Sequence, residues 1–172
     1  MKLLNIVVPL FAIALAAGAH AATVGEPAPD FELADQYGET HALEDFRGKW
    51  LVVFFYPKAD TPGCTTEACN FRDNIYAIRD AGAEVVGISV DSVEDQKKFS
   101  DKYKLPFTIL SDTGGETCDD YGVLRSFGSM EVANRESFIV NPEGIVVKHY
   151  ERVNPQTHTQ DVIEDLERFR AK

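Results

Sequence analysis

The chain has 172 residues, 44% hydrophobic and 26% charged, which is enough apolar sequence for one domain with a sizeable core. Such a composition excludes a disordered chain and a collagen-like fibre. Acidic residues number 28 against 17 basic ones, and the formal net charge of -11 repels phosphate backbones and anionic headgroups, which argues against a nucleic-acid partner.

Met1 and Lys2 precede an apolar run from Leu3 to Ala17, and Ala19-His20-Ala21 follows with the small-x-small pattern of a signal peptidase site. The pattern predicts a secretory leader over residues 1–21, cleaved after Ala21, and one mature domain over residues 22–172. A membrane anchor is the weaker reading, because a spanning helix needs roughly 20 apolar residues and Asn5 and Pro9 interrupt this run. No cysteine lies near the cleavage region, so a lipidated N-terminal Cys is excluded. An exported protein is expected, periplasmic or secreted, with no stable membrane association after cleavage. Outside the strongly reducing cytosol, any reversible thiol chemistry has to draw electrons from a dedicated donor.

From Ala22 to Arg47 the chain is rich in Gly, Pro and Asp around Phe31-Glu32-Leu33, which predicts a loop and a short edge hairpin. Trp50-Leu51-Val52-Val53-Phe54-Phe55 is a continuous apolar run of strand length, as expected of a parallel strand buried on both faces and ended by Pro57. Thr61 fits a helix N-cap and Pro62 the first helical position. The following stripe of Cys64, Ala68, Phe71, Ile75 and Ile78 has helical spacing, with Gly82 as the stop. Glu84 to Ser89 is a second strand, and Ser92-x-x-Asp95 opens a helix running to Lys104. Phe107 to Leu110 is a third strand, and Glu116 to Tyr121 is one or two helical turns. Ser137 to Val140 and Ile145 to Val147 form a hairpin about Asn141-Pro142-Glu143-Gly144. Thr157-His158-Thr159-Gln160 reads as a capping box before a final helix with Val162, Ile163, Leu166 and Phe169 on its apolar face. The alternation predicts an α/β architecture, a mixed central β-sheet flanked by α-helices.

Three cysteines, Cys64, Cys69 and Cys118, are too few for a disulfide scaffold and form neither a C-x-x-C pair nor a zinc set with His. Cys64 falls in a first helical turn, where free backbone N–H groups and the positive end of the helix dipole favour a thiolate. An inert buried cysteine is the alternative. Gly63, which allows close backbone approach, and the nearby Thr61 hydroxyl favour the reactive one.

The stretch from Phe55 to Asp73, with Pro57, Thr61 and Cys64 in a P-x-x-x-T-x-x-C pattern and Cys69 five residues on, closely resembles the active-site segment of peroxiredoxins. It is most similar to the Q-type group that includes bacterioferritin comigratory protein. Gly87 to Asp91, Leu110 to Asp112 and Arg135 to Ile139 extend the resemblance over nearly all of the mature chain. It implies a thioredoxin-like fold that reduces hydrogen peroxide and organic hydroperoxides, with no metal and no bound cofactor. Cys64 would be the peroxidatic nucleophile, oxidised to a sulfenic acid, and Cys69 the resolving thiol that condenses with it to an intramolecular disulfide. An external dithiol protein, thioredoxin-like or glutaredoxin-like and exported in this case, would reduce that bond. Thr61, Pro57 and Arg135 match the other active-site positions. Thr61 and Arg135 would act as donors to the charge that builds on the leaving oxygen, and Pro57 would shield the pocket. By itself Arg135 reads as half of a surface pair with Glu131 or Glu136; only the resemblance brings it to the site. The resemblance allows a monomer or a weak dimer.

Cys118, followed by Asp119 and Asp120, reads as structural. His41, His149 and His158 lack metal-ligand spacing. Glu67, Arg72 and Asp73 belong to the segment that carries the resemblance, and a solvated helix face explains them equally well. The competing functions are a thiol hydrolase pairing Cys64 with His149, a redox-inert binding module, and a thiol-disulfide oxidoreductase of thioredoxin-like fold. The first two leave Cys69 unexplained, and the last usually carries an adjacent C-x-x-C pair.

Overall fold

The computed structural model describes residues 21–171. Apart from Ala21, the expected leader lies outside the described residues. The run that begins at Trp50 forms strand β3 (Trp50–Phe55), after the edge hairpin of β1 (Glu32–Asp35) and β2 (Thr40–Ala42). It is an interior strand, parallel to β4 (Ala83–Ser89) on one side and antiparallel to β8 (Glu136–Val140) on the other. Successive side chains point to opposite faces. Val52, Phe54 and Tyr56 therefore enter one core, and Leu51, Val53 and Phe55 the other. Because both faces are covered, the run is apolar without alternation.

Helices α1 (Pro62–Asp73), α2 (Ile75–Asp80) and α3 (Val93–Tyr103) cross between the strands. Strand β5 (Thr108–Ser111), helix α4 (Glu116–Asp120), the hairpin of β6 (Leu124–Phe127) and β7 (Met130–Ala133), strand β9 (Val146–Tyr150) and helix α5 (His158–Arg170) complete the described chain. Among the described residues one mixed sheet of 7 strands runs β2-β1-β5-β4-β3-β8-β9. The α1 stripe of Cys64, Ala68 and Phe71 packs against Val52 and Phe54 on one face, together with Val162 and Leu166 of α5. Cys118 belongs to the core on the opposite face, with Phe55, Tyr121 and Phe138. Phe54 and Phe71 stack with ring centroids 4.9 Å apart, so Phe54→Ala would cost roughly 3–5 kcal/mol and loosen the helix that carries Cys64.

Two local expectations are corrected. The single helix read from Pro62 to Gly82 is broken at Asn74, whose side-chain amide donates to the Asn70 carbonyl at 2.9 Å and competes with the helical ladder. Thr157 does not cap α5, since its backbone is at φ -115°, ψ -17° and the Asn154 carbonyl takes the Thr157 and His158 amides at 3.1 and 3.0 Å. The β6–β7 hairpin has no counterpart among the expected elements. Where the cap signal was sound, at Ser92, the hydroxyl accepts from the Asp95 amide at 3.2 Å.

Candidate active site

Strand β3 ends at Phe55, and the loop from Tyr56 to Thr61 delivers the chain to the N-terminus of α1. Pro62 takes the first helical position, where its missing N–H removes nothing from the helix. Thr61 stands at the N-cap, yet its hydroxyl makes no capping bond and donates instead to the Lys58 carbonyl at 2.9 Å. The resemblance implies a hydroxyl donor here, whereas in the structure that proton goes to Lys58. With its proton committed, Oγ1 presents lone pairs to anything bound beside it and acts as an acceptor.

Cys64 is 1% exposed, and Arg135, on the residue before β8, donates from Nη2 to its Sγ at 3.2 Å. The second guanidinium nitrogen, Nη1, meets Glu67 Oε2 at 2.5 Å. Arg135 is thus not the surface partner of Glu131 or Glu136, and Glu136 instead meets His149 Nε2 at 2.8 Å. Burial alone would lower the Arg135 pKa, but the Cys64 and Glu67 charges outweigh it and raise the value. A Cβ placed on Gly63 would lie 3.0 Å from Arg135 Nη2, so the glycine lets the guanidinium reach the thiol. In the first turn the Gly63 and Cys64 amides have no helical acceptor.

Glu67 is corrected from a solvated position to a buried one. It is 0% exposed, its Oε1 has no hydrogen-bond partner, and burial pushes its pKa up to about 7 despite the nearby Arg135. The missed signal was its spacing: three residues after Cys64 on a helix is the same face. Arg72 donates to the Tyr103 carbonyl at 2.8 Å, while Asp73 is exposed.

All three cysteines are free, with Cys69 half-buried on α1. In a regular helix residues five apart have Cα atoms roughly 8–9 Å apart. A disulfide needs less than about 7 Å, so the first turn has to open before these two join. Cys118 sits across the sheet from Cys64. Its pKa is raised, first by burial and then by Asp112, whose Oδ2 also accepts the Cys118 amide at 2.8 Å; Asp119 and Asp120 are not the cause.

Pro57 lines an open groove of about 950 Å³ together with Val90 and with Phe127 and Met130 of the β6–β7 hairpin. Cys64, Thr61 and Arg135 do not line it. His149 stacks on Phe138 at 4.2 Å between centroids, and His158 Nε2 meets Ser137 Oγ at 2.9 Å. His41 Nε2 lies 3.2 Å from Asp35 Oδ2, and Glu39 completes a cluster whose ligand atoms fall within 4.8 Å. There the other Asp35 oxygen is taken by the Tyr37 and Glu39 amides of the hairpin turn. Arginine, rather than imidazole, is the side-chain partner of Cys64 among the described residues.

A thiol in a first helical turn, paired with a half-buried guanidinium and set beside an acceptor hydroxyl, suits nucleophilic attack on a polar bond whose leaving atom becomes anionic. The family model described as AhpC/TSA family matches residues 24–149. The chain belongs to the AhpC/TSA family. Chloroplastic peroxiredoxin Q of Sedum lineare is 44% identical over 147 residues, covering 84% of this chain and 78% of its own length. A protein named putative peroxiredoxin bcp of Coxiella burnetii is 42% identical over 144 residues, covering 81% of this chain and 95% of its own. Among solved structures, the peroxidoxin BcpB of Mycobacterium tuberculosis superposes with TM-score 0.80 at 32% identity, over 86% of this chain and 97% of that one. A bacterioferritin comigratory protein of Xanthomonas campestris, studied for alkyl peroxide reduction, gives TM-score 0.79 at 31% identity. The AhpC/TSA sequence is thus carried on the thioredoxin-like α/β fold of the peroxiredoxins.

Proposed function

We propose that this AhpC/TSA protein reduces hydrogen peroxide and organic hydroperoxides with Cys64 as the nucleophile. It is a thiol-dependent peroxidase, an oxidoreductase. The observation that carries the assignment of residues is the Arg135 guanidinium 3.2 Å from Cys64 Sγ in the first turn of α1. The thiolate attacks the terminal oxygen of ROOH. An S–O bond forms as the O–O bond breaks, RO⁻ leaves and takes a proton to give alcohol or water, and sulfur is left as sulfenic acid. Arg135 and the Gly63 and Cys64 amides face the growing negative charge, and Thr61 Oγ1 accepts the peroxide O–H. Pro57 shields the strand end of the pocket. Cys69 then condenses with the sulfenic acid, releasing water and forming a Cys64–Cys69 disulfide. An external dithiol reduces this bond to two thiols and is itself oxidised.

Peroxiredoxins of this family use thioredoxin-like reductants. For this chain the donor is an exported dithiol protein, because Ala19-His20-Ala21 after an apolar run supports cleavage to a mature domain beginning at Ala22. The mature domain works in the periplasm or outside the cell, as a monomer or weak dimer.

Cys64→Ser tests the nucleophile. Peroxide consumption with a dithiol donor is lost while the fold stays intact, since the serine hydroxyl remains neutral. Turnover near that of the wild type would overturn the assignment. Intact mass of protein from the native host tests export: the mature chain starts at Ala22, and a retained Met1 refutes it.

A further inference from the structure

The Lys58–Ala59 peptide carries two contacts on opposite sides. Its carbonyl accepts the Thr61 hydroxyl at 2.9 Å, and its N–H donates to Asp91 Oδ2 at 2.7 Å. A peptide unit is planar, so a direction imposed on the N–H is imposed on the C=O as well. Asp91 follows β4, its side chain is 0% exposed, and its other oxygen, Oδ1, accepts from Lys58 Nζ. Ser89 Oγ donates to Oδ2 at 2.8 Å, and Gln96 Nε2 of α3 donates to Ser89 at 2.9 Å. Ser111 Oγ of β5 holds the Asp91 carbonyl at 2.6 Å. The carboxylate is therefore anchored in the sheet and helix layer while its remaining capacity is spent on the loop next to the site. The next residue, Asp60, stands at φ +60°, an unfavourable conformation for a non-glycine, and Lys102 Nζ and Tyr103 Oη of α3 hold its carboxylate at 2.7 and 2.6 Å.

We propose that Asp91 is a positioning residue for the peroxide pocket, aiming the Thr61 oxygen through the Lys58–Ala59 peptide plane. Without it the peptide is free to rotate, the Thr61 hydroxyl loses its fixed acceptor, and Oγ1 no longer presents lone pairs to the substrate. Cys64 and Arg135 are untouched by that change. The inference rests on the peroxidase reading.

Stopped-flow oxidation of Cys64 by hydrogen peroxide and alkylation of the same thiol by iodoacetamide separate the two ideas, because alkylation makes no use of Thr61. Asp91→Ala slows the peroxide reaction by roughly 10- to 100-fold, as a misplacement of about 1 Å does, and alters alkylation by less than about twofold. Asp91→Asn, which keeps a carbonyl oxygen for the Ala59 amide, restores the peroxide rate to within about threefold of the wild type. In a Thr61→Val background Asp91→Ala has little further effect, since both act on one oxygen. Equal losses in both reactions, or full additivity with Thr61→Val, would overturn the inference. Should Asp91→Ala not fold, the reduced wild-type protein decides: the Ala59 amide hydrogen exchanges slowly, and exchange at the rate of an open loop overturns the proposal. A wild-type Cys64 inert to peroxide removes the peroxidase reading as well, whereas a reactive wild type with unaffected variants removes only the role of Asp91.

Discussion

Replacing Glu67 by Gln separates the cost of a buried charge from the need of Arg135 for a partner. The carboxyl ionises at the usual 4.5 in the unfolded chain, but burial holds it up to about 7 in the folded protein, against the opposing pull of Arg135. A raised carboxyl pKa means that the folded state binds the proton more tightly. The stabilisation this group provides is therefore complete below 4.5 and lost as the pH rises through 7, at about 1.4 kcal/mol per pH unit between those values. The full change is about 3 kcal/mol, a substantial part of the roughly 5–15 kcal/mol that keeps a domain folded. Gln cannot ionise and still offers Oε1 to Arg135 Nη1. The stability difference, variant minus wild type, should accordingly rise by about 3 kcal/mol between about pH 4.5 and about pH 8. Urea denaturation of the reduced proteins across that range measures it, and contributions from other titrating groups cancel in the difference. A flat difference would refute the reasoning, because it would mean that Arg135 outweighs burial and keeps the carboxylate ionised throughout.

Gly63→Ala should leave stability within about 1 kcal/mol of the wild type, because Ala is the better helix former. The same variant should cut the peroxide rate roughly tenfold by pushing Arg135 off the thiol, and stopped-flow kinetics showing no loss would contradict the close approach. Burial first and Arg135 second lower the His158 pKa to about 4 from the usual 6.5. Its stabilisation is therefore complete above 6.5 and lost as the pH falls towards 4, by about 3 kcal/mol in all, and acid denaturation of His158→Gln should lack that loss. Oxidation should speed amide exchange over Thr61 to Asn70 and leave the helix beyond Ile75 little changed, with peptide mapping joining Cys64 to Cys69 and leaving Cys118 free. A Cys64–Cys118 bridge would refute the resolving step.

Most of the architecture was legible because burial leaves a periodic trace. The unbroken run of β3, the stripe that continues from α1 into α2 and ends at Ile78, and the apolar face of α5 each state which face is covered, and the structure covers those faces. The β6–β7 hairpin escaped for the opposite reason. Its two-residue Gly128-Ser129 turn was present, but its strands are mostly exposed and carry no alternation. Caps at Thr61 and Thr157 were legible as positions and wrong as contacts, since a hydroxyl chooses among acceptors that only the folded loop brings near.

The sequence by itself determined that Cys64 begins a helix and stands near Thr61 and Gly63, because these relations are local and follow from helical geometry. Tertiary structure alone decided the partner of Arg135. The guanidinium lies 71 residues from Cys64 along the chain, and the antiparallel pairing of β3 with β8 brings them together. It also decided that Glu67 is buried and that Asp91 holds the peptide preceding the site. Charge and hydrogen bonding act through space, so a polar residue's role depends on what the fold places against it, whereas an apolar residue's burial is already written in its spacing.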